Sequence, residues 1–61
     1  MPIHHYTIGF HYVSPEALHQ DEDVFKCDGM SICDAVNKWI DYCIRQGYVG
    51  FYMDSYIETP S

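Results

Sequence analysis

Residues 3–13 alternate with a strict period of two. His4, Tyr6, Ile8, Phe10 and Tyr12 fall on one side of the pattern, and His5, Thr7, Gly9 and His11 on the other. In an extended chain successive side chains point to opposite faces, so this segment reads as a half-buried strand with its even-numbered residues toward a core. A lone strand cannot bury such a face. The rest of the chain must therefore supply partner strands and something to cover the large aromatic and aliphatic side chains.

The cover is legible further on. From Ser31 to Gln46, placed at about 100° per residue, Ile32, Cys33, Val36, Trp39, Ile40 and Cys43 share one face of a helix. Asp34, Lys38, Asp41 and Arg45 share the opposite face, where Asp34–Lys38 and Asp41–Arg45 are acid-first pairs at i,i+4. Ser31 with Asp34 three residues later approximates a capping box, and Gly47 is placed to stop the helix. A last strand is expected over Tyr48–Ile57, with Val49, Phe51 and Met53 toward the core and Tyr48, Tyr52 and Tyr56 on the other side.

Between the first strand and the helix the signals are weaker. Ser14-Pro15 is a helix-start signature, which predicts a single turn over residues 15–20. The acidic run Asp21-Glu22-Asp23 is expected to stay in solvent as a loop. Val24-Phe25-Lys26-Cys27 is expected to form a short strand, with a turn at Asp28-Gly29. Residues 58–61 read as a polar tail. The expected fold is therefore α+β: one compact domain over residues 1–61, a small antiparallel or mixed sheet of two or three strands, and one helix packed on a single face.

Several chemistries do not fit this chain. Its 61 residues hold nine Asp and Glu against three Lys and Arg, a net charge of −6. Affinity for a phosphate backbone comes largely from cationic side chains, so direct nucleic-acid binding is not expected. A basic partner, including a protein that normally holds nucleic acid, suits the charge better. Duplex mimicry needs carboxylates at about the 3.4 Å phosphate repeat of one strand. Asp34 and Asp41 are about 10 Å apart along a helix and are diluted by Lys38 and Arg45. The run at residues 21–23, with Asp28 nearby, makes an acidic corner instead.

No nucleophile motif, glycine-rich phosphate loop or metalloprotease helix is present, and no enzymatic activity or cofactor is expected. Cys33 and Cys43 on one helix would lie roughly 15 Å apart, too far for a disulfide, which needs α-carbons within about 7 Å. Both read as buried thiols. Cys27 is expected to have a raised pKa from its acidic neighbours. Zinc is the alternative, with His4, His5, His11, His19, Cys27 and Cys33 as candidate ligands. The spacing fits no pair of close ligand pairs, and no metal is expected. With no signal-peptide pattern and no apolar run of about 20 residues, the expected location is cytoplasmic, away from membranes.

What remains is binding. A thin sheet with one covered face leaves His5, Thr7, Gly9 and His11 exposed with Tyr48, Tyr52 and Tyr56. Tyrosine buries large area at small entropic cost while keeping a polar tip. Gly9 and Gly50 would let another chain approach the backbone. The expected function is an interaction or inhibitor protein that binds a larger protein. Its expected contacts are Tyr48, Tyr52, Tyr56, His5 and His11 on the open face and Asp21, Glu22, Asp23 and Asp28 in the acidic loop. Small acidic domains of this size are common among accessory and phage-encoded inhibitors, anti-CRISPR proteins included, an association by size and charge alone. The alternatives are a zinc-stabilised module and a structural homodimer.

Overall fold

A computed structural model describes residues 3–16 and 19–60. Strands β1 (His4–Val13) and β2 (Gln20–Gly29) precede helix α1 (Ile32–Gln46), and strand β3 (Gly50–Pro60) follows it. The three strands form one antiparallel sheet in the order β2-β1-β3, with α1 across one face. The α+β sheet-and-helix architecture expected from the periodicities is the one observed.

The central position of β1 follows from its composition. It carries Tyr6, Ile8 and Phe10 fully buried and pairs along its whole length with both neighbours. Its even-numbered residues face the helix, as the alternation requires.

Strand β2 is longer than expected. It spans ten residues and takes in the acidic run, which is an edge strand and not a loop. The physical reason is backbone pairing. The segment from Gln20 to Gly29 satisfies the open hydrogen-bonding edge of β1 residue for residue, and an edge strand tolerates charged side chains. The turn placed at Asp28-Gly29 is instead the strand end, and the chain bends at Met30-Ser31. Of the helical turn expected over 15–20, Pro15 and Glu16 form a turn, residues 17 and 18 lie outside the described residues, and Gln20 already belongs to β2.

The caps of α1 behave as read. Ser31 accepts a hydrogen bond from the Asp34 amide at 3.3 Å, and Gly47 adopts a left-handed φ of 77° with its amide bonded to the last helical carbonyls. Asp34 closes the box one residue earlier than expected, accepting from the Met30 amide at 3.2 Å. Gly29 is required for close approach, because a Cβ there would meet Asp34 Oδ2 at 2.8 Å.

The rotation of α1 differs from the expectation. Ala35, Trp39 and Cys43 are buried, with Ile32, Val36, Ile40 and Tyr42 packed beside them, whereas Cys33 is exposed. Cys33 lies about 120° around the helix from Trp39, whereas Tyr42 lies about 60° away on the other flank. The buried stripe is centred on Trp39, so it takes in Tyr42 and Ala35 and leaves Cys33 in solvent.

Strand β3 runs to Pro60, taking in most of the segment expected as a polar tail. Its register with β1 shifts between Gly9 and Phe10. Gly9 pairs with Ser55 and Phe10 with Met53, which leaves Asp54 as the extra residue of a bulge.

Candidate interaction surface

Residues directly opposite each other in an antiparallel pair share a face. The register therefore assigns every strand residue to the helix side or to the far side. On the far side His11 is flanked by Glu22 and Tyr52, Gly9 by Val24 and Ser55, Thr7 by Lys26 and Ile57, and His5 by Asp28 and Thr59. No element among the described residues covers this face. Val24, Tyr52 and Ile57 are its exposed apolar groups.

Two histidines knit the face to its flanking strands. His5 Nδ1 lies 2.5 Å from Asp28 Oδ1. His11 Nδ1 meets Asp54, and its Nε2 lies 3.3 Å from Glu22 Oε2. The His11 ring also stacks on Tyr52, with centroids 5.3 Å apart and planes 12° from parallel. Tyr52 is thus held upright beside the bulge, in a preset orientation. At the middle of β1, Gly9 leaves a shallow concavity bounded by Glu22, Val24, Asp54 and Ser55.

Several expected contacts sit elsewhere. Tyr56 was expected on the open face, but the bulge at Asp54 reverses the alternation, and Tyr56 lies opposite Ile8 on the helix side. Tyr48 precedes β3 and stacks on Tyr12, with centroids 4.2 Å apart, at the edge of the core. Asp21 and Asp23 pair with Tyr12 and Phe10 and so face the helix side, while Glu22 and Asp28 face the open side. Of the expected core residues, Val49 lies outside β3 and is 67% exposed. Met53 is on the core side but beyond the cover of α1.

Tyr52, His5 and His11 share the far face as the alternation predicts, Glu22 and Asp28 lie on it as β2 residues and not in a loop, and Val24, Asp54 and Ile57 join them. The alternation of Glu22, Val24, Lys26 and Asp28 was the available signal for Val24. Asp54 follows Tyr52 by the same alternation, whereas the bulge that recruits Ile57 leaves no mark in the residue pattern.

The tyrosines Tyr6 and Tyr48 are tied into the fold. Burial is the largest cause raising the Tyr6 pKa, and its hydrogen bond to Glu58 adds to this. Burial and a hydrogen bond with Tyr42 push the Tyr48 phenol up to about 12. A folded pKa above the unfolded value of about 10 means that the native state holds this proton more tightly. Tyr48 therefore contributes stability fully below pH 10 and loses it as pH rises toward 12. Chemical denaturation across that window should show falling stability, and Tyr48→Phe should flatten the fall. A parent curve that stays level from pH 10 to 12 would contradict this placement of Tyr48.

All three cysteines are free. Burial is the main cause raising Cys27, with Asp28 and Asp34 adding to it and Lys38 opposing, so the acidic neighbours are secondary to burial. Among the described residues, no three or more His, Cys, Asp or Glu side chains are grouped to hold a metal ion, and no helix is long and apolar enough to cross a membrane. Comparison of the chain with protein-family models, curated proteins and solved structures finds no match.

Proposed function

We propose that this chain is a small binding protein that docks its uncovered sheet face on a basic surface of a larger protein and blocks that surface. The observation that carries the reading is the far side of the sheet. Exposed Val24, Tyr52 and Ile57 stand on a three-stranded sheet among the carboxylates of Glu22, Asp28 and Asp54. Apolar anchors among polar and charged groups are the usual make-up of a docking surface, and three carboxylates against the one lysine, Lys26, favour a basic partner.

The roles divide by burial on binding. Tyr52, already oriented by His11, is the main apolar anchor. Glu22 and Asp28 lie nearer the rim, where charges act mainly on association rate and are screened by salt over about 8–10 Å.

The test begins with capture of partners from the source cell by the parent chain and by Val24→Lys. A basic protein retained by the parent and lost by Val24→Lys is the expected result. With that partner, Tyr52→Ala should speed dissociation about 30-fold, the equivalent of about 2 kcal/mol for a binding hot spot. Glu22→Lys with Asp28→Lys should slow association and flatten its salt dependence. Val24→Lys and Tyr52→Ala binding like the parent would remove the sheet face as the site.

A further inference from the structure

The far face of the sheet carries two shallow hollows that differ in charge. One is lined by His5, Thr7, Lys26 and Asp28, so its carboxylate has a lysine beside it. The other, of about 440 Å³, has Gly9 as its floor, with Glu22 and Val24 of β2 on one side and Asp54 and Ser55 of β3 on the other. None of the residues lining this second hollow is a lysine or an arginine. Gly9 makes the space. Val24 and Ser55 pair with it across both neighbouring strands, and a Cβ on Gly9 would enter the hollow between them, 3.4 Å from Ser55 Oγ.

The two carboxylates of this hollow already engage one ring. His11 meets Asp54 through Nδ1 and reaches Glu22 through Nε2 at 3.3 Å. A neutral imidazole carries a single N–H, so it donates to one of the two carboxylates and leaves the other without that donor. A protonated ring donates to both. Glu22, Asp54 and His11 therefore sum to −2 or to −1, and in neither state does the histidine balance the pair.

We infer that the Gly9 hollow receives a guanidinium group, the arginine side chain of a basic partner. The inference deepens the docking reading above and rests on it for the partner being a larger protein. Charge complementarity selects a cation, and the shape of the site selects this one. A guanidinium is always charged and holds five N–H donors in one plane, so it can donate to Glu22 on one side and Asp54 on the other at once. Its aliphatic stem has the exposed Val24 side chain to lie along. An ammonium is a compact, strongly hydrated point charge without that planar fork.

The test is a nuclear magnetic resonance titration of the isotope-labelled chain at low salt, with N-acetyl-arginine amide as the probe. The amides of Gly9, Val24 and Ser55 should shift and saturate. The citrulline analogue, which keeps the shape without the charge, should give no saturable shift, and the lysine analogue should bind less tightly. Glu22→Gln with Asp54→Asn preserves the outline of both walls and should weaken arginine binding about tenfold or more, as loss of charge-assisted contacts does. Glu16→Gln with Asp41→Asn removes two exposed carboxylates elsewhere and should bind like the parent. Gly9→Val fills the hollow and repeats the test if circular dichroism shows that the first pair of substitutions disturbs the fold. The inference is overturned by a lack of saturable shifts at these amides, or by citrulline or lysine binding as well as arginine. Equal binding by the two double variants overturns it as well. Capture of a partner judges the docking reading separately. A partner lost by Val24→Lys, with no binding of the arginine probe, removes the guanidinium site alone, and arginine binding with no partner captured removes the docking reading alone.

Discussion

Truncation of Trp39 to alanine should leave the chain largely unfolded at room temperature. Trp39 is 4% exposed and belongs to the buried core cluster. Its ring meets Phe10 of β1 edge-on at 5.6 Å and Phe51 of β3 at 5.4 Å, so one side chain joins the helix to two strands. Removing a buried tryptophan costs about 3–5 kcal/mol. Total stability of small domains is about 5–15 kcal/mol, and a 61-residue chain, with a small buried fraction, belongs near the bottom of that range. Lys38→Ala, one residue away, is the control. Its ammonium reaches the Asp28 carbonyl and Asp34 from the surface, and its loss should shift stability by no more than about 0.5 kcal/mol. Trp39→Phe should fall between the two. It keeps an aromatic ring near both partners and removes a buried indole N–H that has no acceptor among the described residues. Urea unfolding followed by far-ultraviolet circular dichroism ranks the three. A Trp39→Ala chain with near-parental stability would mean that the core is not organised around this residue.

The second large effect concerns the thiols, which should react at widely separated rates. Cys33 is exposed on the first turn of α1 and should be labelled by a soluble thiol reagent at once. Cys43 is fully buried, and burial pushes its thiol up, so it reacts only when the structure opens. For an opening free energy of about 5 kcal/mol the slowing is on the order of a thousandfold or more. Cys27 should lie between, half-covered with its sulfur turned toward the Ala35 carbonyl. Mass spectrometry of samples quenched over time reads the order directly. Simultaneous labelling of Cys33 and Cys43 would return the helix to the rotation that its apolar residues alone suggest.

That rotation shows where residue patterns lose resolution. The pattern located α1 to within a residue at its ends, because Ser31 and Gly47 act through local hydrogen bonds and backbone angle. It misplaced the centre of the buried stripe, because the wheel weighs Cys33 as apolar and Tyr42 as surface. Tyr42 is drawn in by Phe25 and Tyr48, at ring separations of 4.9 and 6.5 Å, and both partners come from other parts of the chain. The candidate surface divides in the same way. His5, His11 and Tyr52 follow from period-two alternation alone. Tyr56 does not, because one bulge residue at Asp54 reverses every side chain beyond it.

By itself the residue order determined the elements whose cause is local: the period-two strand through Phe10, the capped helix through Trp39, and the single covered face that follows from having one helix. The tertiary structure alone decided the rest. It drew the acidic segment into β2, because the open edge of β1 has backbone groups to satisfy and an edge strand can keep its charges in water. It turned Tyr56 away from the open face and brought Ile57 toward it, through a register shift that costs one residue and changes no composition, and it set Tyr48 ahead of β3 against Tyr12. Local pattern reports which side of its own strand a residue occupies. Register between strands sets which residues share a surface, and that is fixed by pairing over long sequence distances.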